Sequence, residues 1–109
     1  MSARIVTVTV DRPKGSYHPE HPDLYYPVNY GYIKGTEAPD GEETDAYLLG
    51  VDEPVTEFTG RVIAIIHRLN DVEDKLVVAP DGSIFTKEQI SSLTAFVEQY
   101  FETEIELLK

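Results

Sequence analysis

Residues 25–45 read YYPVNYGYIKGTEAPDGEETD, and the fold turns on how this stretch is understood. Tyr25, Tyr26, Tyr30 and Tyr32 lie in an extended, β-favouring context punctuated by Pro27 and Gly31. Pro39, Asp40 and Gly41 signal a turn. Past it, the carboxylates Asp40, Glu42, Glu43 and Asp45 arrive within six residues, and Ala46-Tyr47-Leu48-Leu49 restarts an apolar strand. Alternate positions beside a strand project to one face, so Asp40 and Glu42 point together and the strand holds Asp45 near them. Like charges crowded this closely cost free energy unless a cation offsets them. An oxygen-only cluster suits hard ions, Mg2+ or Mn2+ more than Zn2+. A solvated acidic turn is the competing reading, and spacing alone favours it, because the full EF-hand pattern is absent.

Outward from this stretch, the whole chain has 109 residues, the size of a single small domain spanning 1–109. Small domains bury a lower fraction of their surface, so a homo-oligomer is expected to add stability. Nine basic against twenty acidic side chains leave a net charge of −11. Such a surface repels nucleic-acid phosphates. It also repels a free polyphosphate, so a phosphate site here needs metal ions to invert the local field. With no cysteine there is neither a disulfide nor a zinc–thiolate site. No signal pattern and no membrane-length apolar run stands in the sequence, which makes a cytoplasmic location the default and a membrane partner unexpected.

Strand signals dominate. Residues 4–10 alternate, with Val6, Val8 and Val10 on one face. Pro13 and Gly15 mark the turn that follows, where Arg12 and Lys14 are candidate phosphate-binding cations. Residues 16–23, SYHPEHPD, are expected to run extended, because each residue before a proline is pushed from the helical region. His18 and His21 lack a helical register there, which argues against a shared metal. Residues 45–51 form a short strand. The run VIAII within 61–68 is expected to be buried on both faces, and with residues 75–79 it reads as a hairpin. Thr86 caps a helix with Gln89 as its capping-box partner. Ile90, Leu93, Phe96, Val97, Tyr100, Phe101 and Ile105 continue it at helical spacing, with Glu98 on the other side. The expected fold is mainly β with a C-terminal helix, a small OB-like β-barrel of about five strands.

Two pieces carry a family resemblance. YPVNYGYI at 26–33 with APDGEETD at 38–45, and DVEDKLVVAP at 71–80, resemble the soluble family I inorganic pyrophosphatases, with their YPxNYGYI stretch, D-x-D-P-x-D signature and D…D-x-K-L segment. The resemblance implies an OB-like barrel and Mg2+-dependent hydrolysis of pyrophosphate, with Mn2+ as a possible substitute ion. It implies that Asp40, Glu42 and Asp45 hold a metal pair, that Glu42 or Asp45 orients the attacking water, and that Asp71 with Glu73 or Asp74 completes the set. It implies phosphate contacts from Arg12, Tyr30, Lys75 and Tyr100. The departures are Glu42 for the middle aspartate, Glu43 for the proline and Phe101 for the lysine after the helical tyrosine. The family's N-terminal lysine and glutamates have no counterpart before Arg4, as in a short, N-terminally truncated member. Three functions stay open at this point: a compact pyrophosphatase, a metal-dependent phosphohydrolase of another small phosphorylated compound, or a catalytically weak module that binds phosphates or a protein partner.

Overall fold

The computed structural model describes residues 4–35, 43–69 and 74–108. Alternating valines build β1 (Ile5–Arg12), and the tyrosine-rich stretch builds β2 (Asn29–Ile33). The apolar restart is β3 (Thr44–Leu48). A twelve-residue strand, β4 (Glu57–Arg68), carries the VIAII run and is followed by β5 (Asp74–Ala79). Then come helix α1 (Lys87–Glu98) and strand β6 (Thr103–Leu107).

The sheet order is β1-β2-β3-β5-β4-β6, and β1 also pairs with β4. Five strands therefore close into the expected OB-like barrel, with β6 added outside the closure. β4 is long enough to serve two neighbours: Glu57 to Arg61 pair with β1, and Ala64 to Arg68 pair with β6. β3 and β5 run parallel, with Ala46 opposite Leu76 and Leu48 opposite Val78. The neighbouring pairs β2–β3 and β4–β5 are antiparallel.

Strand alternation divides the core in two. Val8, Val10, Ile33, Ala46, Leu48, Val62, Leu76 and Val78 come from all five closing strands and fill the barrel. Tyr47, Ile63, Ile66 and Val77 face outward beneath Ile90, Leu93 and Phe96 of α1. β5 is thus buried on both faces, and its sequence is an unbroken apolar run, KLVVA apart from the lysine. Gly31 marks where β2 passes closest to β1: a Cβ there would lie 1.9 Å from the Thr9 carbonyl oxygen. No side chain fits that approach.

The C-terminus departs from expectation. α1 has the anticipated capping box, with Gln89 N donating to Thr86 Oγ1 and Thr86 N donating to Gln89 Oε1. It stops at Glu98, and the chain turns through Tyr100 and Phe101 into β6. Phe101 and Ile105, four apart, satisfy a helical pattern; Phe101, Thr103 and Ile105 satisfy strand alternation equally well. The second half of β4, paired with β5 on one edge only, decides between them by taking β6 on the other. The 16–23 loop also differs. His21 N donates to the His18 carbonyl at 3.2 Å and Leu24 N to that of His21 at 2.8 Å, so the segment folds into turns rather than running extended.

Candidate active site

The parallel register of β3 and β5 aligns their second residues. Asp45 precedes Ala46, Lys75 precedes Leu76, and both side chains lie on the outward face shared by Tyr47 and Val77. There Lys75 Nζ donates to Asp45 Oδ2 at 2.6 Å. Tyr30, also on this face, donates its hydroxyl proton to the same oxygen at 2.9 Å. Burial first, and the Asp45 charge second, push the Tyr30 phenol well above its ordinary range, so the proton stays on Tyr30. Asp45 Oδ1 is left without a hydrogen-bond donor among the described residues. One oxygen is fixed and the other remains available to an electrophile.

A register shift between Val10 and Arg12 sets Arg12 opposite Tyr30. A bulge of this kind re-aims the side chain beyond it. The guanidinium lies over the Tyr26 ring, 5.7 Å from its centroid, and Nη1 donates to the Tyr26 hydroxyl at 3.3 Å. Arg12, Tyr26, Tyr30, Asp45 and Lys75 line one cleft of about 390 Å³, together with Asp11, His18, His21, Leu24, Arg68, Val97 and Phe101. That size sits at the small end of ligand pockets, roughly 300–1,000 Å³.

Two residues missed in the sequence support this cleft. Arg68, at the end of β4, donates from Nε to Glu98 Oε1 at 3.0 Å and from Nη2 to Glu98 Oε2 at 2.8 Å, and Tyr47 also donates to Glu98. The side chains of Arg68 and Glu98 are 6% and 5% exposed. Arg68 further stacks on Phe101, 3.8 Å from the ring centroid. Where the resemblance implies a lysine, the ring of Phe101 packs on an arginine from β4. The sequence did carry a signal: Ile90, Thr94 and Glu98 are spaced by four, so Glu98 belongs to the buried stripe of α1.

Not every expected site residue converges. Asp74 lies on the opposite face of β5 from Lys75, where its Oδ2 is 3.0 Å from His67 Nδ1 and away from the cleft. Strand alternation makes this separation unavoidable. Tyr100 sits past the end of the helix, 73% exposed, and does not line the cleft. Lys14 sends its ammonium to the Asp52 carbonyl, 3.1 Å away. Tyr30 directs its proton at Asp45, so its hydroxyl can meet a phosphate only through the oxygen lone pairs or after rearrangement. Asp40, Glu42, Asp71 and Glu73 lie outside the described residues. Among the described residues, no three His, Cys, Asp or Glu side chains gather to hold a metal ion. Nor, among them, is any helix long and apolar enough to cross a membrane.

Comparison with known proteins agrees with this fold. The sequence model of the family described as inorganic pyrophosphatase matches residues 6–107. The fold is similar to a crystal structure of inorganic pyrophosphatase from Ehrlichia chaffeensis, with a TM-score of 0.73 and 21% identity over 95% of this chain and 86% of that one. An inorganic pyrophosphatase from Coxiella burnetii matches with a TM-score of 0.66 and 17% identity, over 100% of this chain and 88% of the other. One from Neisseria gonorrhoeae gives 0.63 and 21%, over 88% and 73%. No curated protein sequence matches the chain.

Proposed function

The chain belongs to the inorganic pyrophosphatase family, and from that premise we propose that the cleft around Asp45 and Lys75 is where it hydrolyses inorganic pyrophosphate to two phosphates. The observation that carries the assignment is the junction of Tyr30, Asp45 and Lys75 on one oxygen. Three strands are needed to build it, and it does nothing for the core that an apolar trio would not do better.

Pyrophosphate hydrolysis in this family uses a divalent cation, Mg2+ or Mn2+, which supplies charge neutralisation and Lewis acidity. The donor chemistry fits a hard ion: Asp45 Oδ1 accepts no hydrogen bond among the described residues, and Asp40, Glu42, Asp71 and Glu73 offer only further carboxylates. These five are the ligands we assign. Asp74 is left out, because His67 occupies it on the far face. Lys75 and Tyr30 hold the Asp45 carboxylate in one rotamer and fix which oxygen faces the substrate. Arg12 presents a planar cation to the phosphoryl oxygens from the bulge, and Arg68, its charge balanced by Glu98 and its plane stacked on Phe101, forms part of the cleft wall. Val97 and Phe101 form the apolar side of the cleft. The absence of cysteine is compatible with a reducing, cytoplasmic setting, and the exposed Tyr17, Tyr25 and Tyr100 support association of copies of this chain.

The test is phosphate release from pyrophosphate with and without Mg2+. The expected result is turnover that depends on the ion and falls by two to three orders of magnitude in Asp45→Asn, roughly what loss of one charge-stabilising group costs. Undiminished turnover in Asp45→Asn would place the chemistry elsewhere.

A further inference from the structure

His18 stands at the rim of the cleft on the 16–23 loop, a segment absent from the motifs that carry the family resemblance. Backbone hydrogen bonds pin that loop. Tyr26 N donates to the Ser16 carbonyl at 2.9 Å, Gly15 N to that of Tyr26 at 2.8 Å, and His18 N to that of Leu24 at 3.0 Å. The imidazole is stacked on Tyr26, with centroids 6.4 Å apart and planes at 25°. Its Nδ1 accepts a hydrogen bond from the Glu20 amide at 3.0 Å. A ring nitrogen that accepts from a backbone N–H carries no proton, so the neutral imidazole must hold its proton on Nε2. That N–H has no acceptor among the described residues. The same tautomer removes His18 from metal chemistry: one lone pair is committed to Glu20 and the other nitrogen is protonated.

Four other donor residues of the cleft each spend at least one N–H or O–H on a protein partner. Lys75 and Tyr30 donate to Asp45, Arg68 donates to Glu98, and Arg12 donates to Tyr26. A phosphoryl group entering the cleft must compete for these. At Nε2 of His18 it meets a donor with nothing to give up. Burial, then the nearby Arg12 charge, depress the basicity of the ring, which keeps it neutral and its tautomer fixed near neutral pH.

We propose that His18 is a substrate-binding residue, donating from Nε2–H to a terminal phosphoryl oxygen of pyrophosphate, and that the 16–23 loop thereby sets how far the substrate extends from Asp45. The inference rests on the pyrophosphatase reading of the cleft. His18→Phe retains the ring stacked on Tyr26 and lacks the donor. His18→Gln restores an N–H near the position of Nε2. Steady-state hydrolysis of pyrophosphate, binding of non-hydrolysable methylenediphosphonate by calorimetry, and Mg2+ titration without any phosphate compound are compared for both variants and the unaltered chain. His18→Phe is expected to raise KM and weaken the diphosphonate by roughly tenfold, the scale of one hydrogen bond to a charged acceptor. kcat and Mg2+ affinity should stay unchanged, and His18→Gln should recover most of the loss.

Equal KM and diphosphonate affinity in His18→Phe and the unaltered chain would overturn the proposal. So would equal weakening in both variants, which marks a loop support, or a loss of Mg2+ affinity, which marks a ligand. Should His18→Phe not fold, His18→Ala supplies the same comparison. If the unaltered chain does not hydrolyse pyrophosphate, the functional reading fails by itself, while the diphosphonate titration still decides the role of His18.

Discussion

Glu98 shows how much one side chain can hold. It is the carboxylate for a buried arginine, accepts the Tyr47 hydroxyl, and ends the helix that roofs the outer core. Glu98→Ala leaves Arg68 charged and desolvated, and urea unfolding should show a loss of about 3–5 kcal/mol. Activity should fall as well, because Arg68 loses its clamp. Gly31→Ala is expected to be worse tolerated than its size suggests. The added methyl meets a backbone oxygen, which cannot rotate away, so the variant should unfold at lower urea with β1 and β2 parted. Asp45, Lys75, Tyr30 and Arg12 could be named from the sequence because they fall in or beside stretches that resemble a known family's motifs. Arg68 and Glu98 could not be paired so easily: they are 30 residues apart, and only the packing of α1 against the end of β4 brings them together. Asn29 was hidden for the same reason. Fully buried, it accepts from Lys14 N and Val55 N and donates to the Val51 and Glu53 carbonyls, tying two loops to β2.

Elements were legible where one periodicity had no rival. The valine alternation of β1, the apolar run of β4 and the capping box of α1 each fit a single pattern. β6 was not legible, since its residues fit two periods and its identity depends on a vacant edge of β4. What fastens β6 is partly ionic. His67 on β4 sits between Asp74 of β5 at 3.0 Å and Glu106 of β6 at 2.9 Å. The hydrogen bond the imidazole donates to Glu106, opposed by desolvation and reinforced by the one to Asp74, raises its pKa above the ordinary value. A raised folded-state pKa stabilises fully below the unfolded value of about 6.5 and loses its effect as pH climbs through the folded value. The attachment of β6 should therefore loosen as pH rises above that point. Hydrogen exchange at the Glu104 and Glu106 amides should show larger loosening between pH 6 and pH 9 than solution chemistry alone predicts, and His67→Gln should remove that excess. His18, with its depressed pKa, acts in the opposite sense at lower pH, so the His67 variant is the necessary control.

For the whole molecule, charge is the governing quantity. A net charge of −11 on 109 residues repels itself and repels a polyphosphate alike. A divalent ion that binds only the folded chain should raise Tm by mass action, on the order of 10 °C at a hundredfold excess over its Kd. Differential scanning calorimetry should show that rise for the unaltered chain with Mg2+ and little of it for Asp45→Asn; an equal rise in both would mean the ion is held elsewhere. The barrel itself was foreseeable from strand count and turn spacing. The strand order within it was not, because the pairing of β3 with β5 skips an element of the chain.

That skipped element bears on when the proposed site comes into being. Asp45 and Lys75 are separated by 30 residues, and β4, the longest strand, is spelled out between them. No local hairpin can bring a parallel pair side by side; the chain must loop out and return first. Such non-local closure places a protein among slow folders, in the millisecond-to-second range. During refolding the ability to split pyrophosphate should thus emerge in the final kinetic phase, after strand signal is already recovered, so that a nascent or half-folded copy is inert toward its substrate.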